Sequence, residues 1–228
     1  MKIAHRTEKR LGLLFIILGV LCFGPSDAAP IRQIVLIGNS ITLHSPEPDI
    51  GWTGNWGMAA SRAHKDYVHD LARIIKEHQL DPVRLVVLNL SAIEKGSSHG
   101  EIHQLDNLSG GQGSYAIVFL GDNVTDDKDA IESFAGRYGA LLASLQQRGF
   151  KHLFCVSTWW TNPAKNYAIK SVCTQHYGQY IPLDDIAKKP ENHAYSERHF
   201  KLAGVGNHPG NLGMQKIAQR IYSYIAKR

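Results

Sequence analysis

Gln33-Ile34-Val35-Leu36-Ile37-Gly38-Asn39-Ser40-Ile41 is an apolar run that breaks into a Gly-Asn-Ser turn. An unbroken run of β-branched and aliphatic residues predicts a strand over Gln33–Ile37 that is buried on both faces, as in a parallel sheet covered by helices. Gly38 lets the backbone turn sharply and Asn39 tolerates unusual dihedrals. The turn can therefore lift the Ser40 hydroxyl to the carboxyl edge of the sheet, where α/β proteins build their sites. Taken alone, the pattern also fits a strand-to-helix turn with a capping serine. The segments that accompany it further along decide between the two.

Outward from this stretch, apolar runs alternate with longer amphipathic segments. Strands are expected at Arg84–Leu90, Ala116–Leu120, His152–Val156 and Tyr180–Leu183, and helices at about Trp56–His78, Asp127–Arg148, Pro163–Tyr177 and Pro209–Lys227. In the second helix Ile131, Phe134, Tyr138, Leu141, Leu142 and Leu145 recur at helical spacing and mark one buried face. The alternation predicts a three-layer α/β/α sandwich with a central parallel five-stranded sheet. Two long polar connections, Ser91–Ser114 and Pro182–Gly210, interrupt it, and connections of this length in a compact domain belong to a site.

The chain has 228 residues. Lys2, Arg6, Lys9 and Arg10 precede an apolar run from Leu11 to Phe23, and Gly24-Pro25-Ser26-Asp27-Ala28 then supplies a breaker and small residues. The run is shorter than the roughly 20 residues that span a bilayer, so residues 1–28 read as an export signal cleaved after Ala28, with an uncleaved anchor as the alternative. Residues 29–228 form the one domain. Removing the leader takes away four Lys/Arg and two acids, so the formal charge falls from +5 to +3. No basic stripe with interleaved aromatics argues for nucleic acid. Two cysteines remain, Cys155 and Cys173, which read either as a disulfide or as two buried thiols. The 12 histidines include no metal-ligand motif. His99 and His103, four apart, read as surface residues. No metal and no cofactor is expected.

Three further segments fall at strand ends or before the last helix: Asn89-Leu90-Ser91, Gly121-Asp122-Asn123 and Asn207-His208-Pro209. With Gly38-Asn39-Ser40 they resemble, in order and spacing, the conserved blocks of the SGNH (GDSL-like) hydrolase superfamily, whose sandwich is flavodoxin-like. The resemblance implies that Ser40 attacks an ester carbonyl and His208 moves its proton. It also implies an oxyanion hole made by the Ser40 N–H, an N–H at Ser91 and the Asn123 side-chain amide. The segment Ile50–Ala60 is similar to exported bacterial members linked to carbohydrate esters.

The chain departs from the family in two places. Ser91 stands where a glycine is usual, and Val205 stands three residues before His208, where an aspartate is usual. Without that acid, a main-chain carbonyl is expected to hold the imidazole, with Asp184, Asp185 or Glu197 as candidate surrogates. Trp52, Trp159 and Trp160 are candidates for stacking on a sugar, and Asp122 for lining the pocket.

The resemblance therefore implies an exported serine esterase, periplasmic or secreted from a Gram-negative bacterium, that removes acetyl groups from a polysaccharide. Two alternatives stand beside it. One is a polysaccharide O-acetyltransferase with the same nucleophile. The other is a non-catalytic carbohydrate-binding protein of an exopolysaccharide or cellulose synthesis complex.

Overall fold

The structure is a computed structural model and describes residues 30–96 and 102–227. The leader and His99 lie outside the described residues. Five strands form one all-parallel sheet: β1 (Gln33–Gly38), β2 (Arg84–Asn89), β3 (Ser114–Phe119), β4 (His152–Val156) and β5 (Gln179–Ile181), in the order β2-β1-β3-β4-β5. Gly38 pairs with Asn89 on one side and Phe119 on the other, so β1, β2 and β3 end level with one another. From β1 the chain adds β2 on one side and then returns to add β3 on the other, and such a switch point in strand order opens a crevice at the carboxyl edge.

Four long helices cover the two faces: α1 (Tyr67–His78), α2 (Lys128–Gln147), α3 (Pro163–Gln175) and α4 (Asn211–Ile225). Alternate residues of β1 go to opposite sides, as strand geometry requires. Ile34 and Leu36 pack with Leu71, Ile75, Ile217 and Ile221 of α1 and α4. Val35 and Ile37 pack with Phe134, Tyr138, Leu141 and Ile169 of α2 and α3. Each such side chain, fully withdrawn from water, contributes about 1.5–3 kcal/mol. Cys155 of β4 and Cys173 of α3 are joined by a disulfide. It closes a separation of 18 residues, and a loop of that size constrains the unfolded chain by roughly 3 kcal/mol.

The first helix begins eleven residues later than the sequence pattern suggests, at Tyr67 instead of Trp56. Asp66 is the reason. Its carboxylate accepts from His69 N at 2.8 Å, as a helix cap, and from Gly57 N at 3.1 Å. Residues 56–66 are thereby folded back as a loop against the β1 turn, with Met58 N donating to Ser40 O at 2.8 Å. Elsewhere the capping follows the sequence: Asp127 accepts from Ala130 N, and Asn162 from Ala164 N and Lys165 N ahead of Pro163. Among the described residues no helix is long and apolar enough to cross a membrane.

The structural demand on Gly38 is space. A Cβ there would overlap Thr42 Oγ1 and come within 3.1 Å of Phe119 O. Thr42 is itself fixed, its hydroxyl 2.7 Å from the Tyr67 hydroxyl in the core. Gly38→Ala should therefore cost about 1–3 kcal/mol by overpacking, read as a lower urea midpoint. The double variant Gly38→Ala/Thr42→Ala should lose less than the sum of the two single changes.

Candidate active site

Ser40 follows β1 directly, and its Oγ lies 3.0 Å from Nε2 of His208. The histidine arrives from the loop before α4 and is clamped there. Its N–H donates to Val205 O at 3.1 Å and its carbonyl accepts from Ala194 N at 2.9 Å. Nδ1 lies 2.9 Å from the Gly204 main-chain oxygen. A carbonyl can only accept, so Nδ1 carries the proton and Nε2 presents a lone pair to the serine hydroxyl. A Ser–His pair without a carboxylate partner thus has the tautomer that a general base needs.

None of the three acids considered as surrogates reaches the imidazole. Asp185 pairs with Arg220 at 2.6 Å. Asp184 lies beside it in the short helical turn Asp184–Ala187. Glu197 accepts from Leu212 N at 3.0 Å, at the start of α4. Val205, where the family acid would stand, is buried among Trp52, Met58, Ala59 and Ala194. The absent carboxylate leaves the imidazole poorly compensated for charge. Burial pushes the His208 pKa down to about 4, partly opposed by the Gly204 carbonyl and reinforced by His44.

The oxyanion donors differ from the expectation at one position. The Ser40 N–H makes no hydrogen bond among the described residues. The Ser91 N–H, by contrast, is already taken by Asn89 Oδ1 at 3.0 Å, and Asn89 is held in turn by Leu43 O at 2.7 Å. Ser91 therefore serves as cavity wall. Asn123 gives one amide hydrogen to Glu94 Oε2 at 2.5 Å, leaving the second for the cavity. Two free donors result, the Ser40 N–H and the Asn123 amide.

Glu94 is the functional residue that the motif reading missed. Its side chain is buried, and it accepts from Asn39 Nδ2 at 3.1 Å, Gly121 N at 2.5 Å, Asn123 N at 3.3 Å and Asn123 Nδ2. One carboxylate thereby fixes the turns after β1 and β3 and aims the Asn123 amide. Asp122 lies behind the site and does not line the pocket. It accepts from Trp159 N at 2.7 Å, Trp160 N at 3.1 Å and Asn39 Nδ2 at 3.4 Å. Burial, and then the Glu94 charge, push its carboxyl up to about 7.

The cavity over these atoms measures about 210 Å³ and is bordered by Ser40, His44, Ser91, Lys95, Asn123, Trp160 and His208, among others. Of the three tryptophans expected to stack on a sugar, one borders it. Trp160 meets the His208 ring edge-on, centroids 4.9 Å apart. Trp159 is 1% exposed and donates Nε1 to Asn207 O, so it belongs to the core. Trp52 is 5% exposed and borders a separate cavity. Lys95, which the sequence does not single out, has no carboxylate partner among the described residues. No cluster of metal-ligating side chains occurs among those residues either; His103 pairs with Asp106 at the surface.

Ser40 and His208 thus meet at the switch point of a parallel α/β/α sheet, in an arrangement suited to a nucleophile and its base. Solved structures give the particular fold. A GDSL-like lipase from Bacteroides uniformis is 16% identical, with a TM-score of 0.57, and the match covers 86% of this chain and 96% of that one. The psychrotrophic esterase EstA from Pseudoalteromonas sp. is 12% identical, with a TM-score of 0.55 over 86% and 97% of the two chains. The acetyl xylan esterase AlAXEase is 15% identical, with a TM-score of 0.53 over 85% and 99%. The fold is that of the SGNH (GDSL-like) hydrolases. The sequence matches no protein-family model and none of the curated proteins.

Two outcomes follow for the enzymology of an activated ester. Because the base works only when neutral, a lowered pKa keeps it active into acid. The value of kcat/KM should stay flat from pH 7 to about 5 and fall with an apparent pKa near 4, measured in stopped-assay buffers against a folded-state control. Glu94→Gln leaves one acceptor oxygen for the donors that now converge on two. It should lower kcat by roughly 10²-fold, the value of one oxyanion donor, with little change in KM.

Proposed function

We propose that the protein is an exported serine esterase that removes small O-acyl groups, acetyl first among them, from a carbohydrate polymer. The observation that carries this reading is the contact of 3.0 Å between Ser40 Oγ and a correctly tautomerised His208 Nε2, beside two unspent oxyanion donors. Ser40 attacks the ester carbonyl while Nε2 takes its proton. Negative charge then develops on the carbonyl oxygen, between the Ser40 N–H and the Asn123 amide. Collapse expels the alcohol, protonated by His208, and leaves an acyl group on Ser40. Water, deprotonated by the same imidazole, releases the acid.

The finer parts of the reading have separate supports. A cavity of about 210 Å³ is sized for an acetyl group and the ring atoms next to it. One of the structural relatives is an acetyl xylan esterase. The Cys155–Cys173 disulfide fits an oxidising compartment, as the leader does. Transfer of the acyl group to a polysaccharide hydroxyl, within a polysaccharide-synthesis complex, shares every step up to the acyl-enzyme.

A fluorophosphonate probe tests the nucleophile. Wild type should be labelled, Ser40→Ala should not, and His208→Ala should label at least about 10³-fold more slowly, since the two residues act as a unit. An unlabelled wild type would sink the esterase and transferase readings together and leave the binding protein. Acetate release from an acetylated polymer, with and without a sugar acceptor, then separates hydrolysis from transfer.

A further inference from the structure

Behind the loop that walls the catalytic cavity lies a second cavity of about 360 Å³ with an unusual lining. Trp52, Trp56 and Phe200 supply aromatic surface, and Arg198, His199 and Lys201 supply cationic and imidazole nitrogen; among the described residues no carboxylate borders it. The two cavities share a wall. His44 borders the first, and it is tied to residues of the second: His44 N donates to Trp56 O at 3.0 Å, and Trp52 Nε1 donates to His44 O at 3.2 Å.

The cations are held in place by main-chain oxygens, and the Glu197 charge acts on Arg198 without forming an ion pair with it. Arg198 Nη2 donates to the Ala59 carbonyl at 2.8 Å, and its guanidinium lies 4.7 Å from the centre of the Phe200 ring. Lys201 Nζ donates to the Asp49 main-chain oxygen at 2.7 Å. Neither makes an ion pair among the described residues. The nearest acid in sequence, Glu197, accepts from Leu212 N through Oε1. Among the described residues Arg73, Lys128, Arg148, Lys165 and Arg220 pair with carboxylates, whereas Arg137 and Lys216, like Arg198 and Lys201, are held by neutral oxygens. Carbonyl anchors orient a charge at little entropic cost on binding and leave its field for an incoming anion.

We infer that this second cavity is a subsite for an anionic sugar unit, charged through a carboxylate or a sulfate, of the polymer whose neighbouring unit carries the ester. The apolar face of the sugar lies against the half-buried Trp56, and the acid group meets Arg198 and Lys201. Lys95 at the catalytic cavity, without an ion pair among the described residues, offers the next unit a second positive charge. This assignment rests on the esterase reading for the polymer's role, and its test does not, because binding is measured on oligosaccharides that carry no ester.

Titration of intrinsic tryptophan fluorescence would use three tetrasaccharides on wild type: a uronate oligomer, a sulfated oligomer and neutral xylotetraose. At least one anionic oligomer should bind roughly tenfold or more tighter than the neutral one, the gain expected of one charge-assisted pairing, and the gain should shrink with added salt. Lys201→Ala and Arg198→Gln should each remove most of that preference, with Lys201→Arg restoring it. Hydrolysis of a small aryl acetate by Lys201→Ala should stay at the wild-type rate. The tighter of the two anionic oligomers identifies the acid group. Equal binding of charged and neutral oligomers, binding of none of them, or a preference that survives both substitutions would overturn the assignment. If Arg198→Gln fails to fold, Lys201→Ala alone decides.

Discussion

The Glu94 carboxylate holds the catalytic edge together. A buried charge is costly unless hydrogen bonds replace its lost water, and here four N–H donors from two strand-end turns do so. The arrangement works only because β1 and β3 end in register, which brings Asn39 and Asn123 to one place. The dependence also runs the other way. Without a common acceptor, the two turns would present several inward-facing donors to each other, and the Asn123 amide would have no reason to point at Ser40. The nearby Asp122 shows the cost of the scheme: burial first, and then the Glu94 charge, make it resist ionisation, and its pKa rises to about 7.

Orientation of the base is solved by different means. In a triad a carboxylate both aims the imidazole and stabilises its charged form. Here the Gly204 carbonyl does the first task and leaves the second largely undone. The short helical turn Ala203–Gly206 exists to place that oxygen, and Val205 anchors the turn by filling the apolar cluster with Trp52 and Met58. A valine at this position is therefore a structural replacement for the acid and not merely its loss.

What the sequence reveals is set by how local each feature is. The sheet was legible because β1 to β4 are contiguous apolar runs, and Ser40, Asn123 and His208 were legible because each lies within a few residues of a strand end or a helix start. Ser91 was misread in one respect. The motif places its N–H near the site but cannot show that Asn89, two residues earlier, captures it. Glu94 carries no local signal beyond being an acid after an apolar residue in a polar connection, since its partners lie at positions 39, 121 and 123. The tryptophans divide for a simple reason. After β4 the chain bends, both main-chain N–H groups going to Asp122, and the bend turns Trp159 into the core while Trp160 meets His208. The late start of α1 came from Asp66, whose cap outcompeted the helical pattern from Trp56 onward.

The weak base and the strong hole belong together. A histidine with a pKa near 4 remains neutral where an ordinary one would be protonated, but it gains less on taking the serine proton. The deficit must then be met on the other side of the transition state, by donors that need no reorganisation as the oxyanion forms. The Ser40 N–H is fixed by the turn geometry and the Asn123 amide by a buried carboxylate, so both are rigid before substrate arrives. In the proposed esterase mechanism, rigidity at the oxyanion compensates for low basicity at the imidazole, and Glu94, rather than a missing aspartate, is the acid on which that mechanism rests.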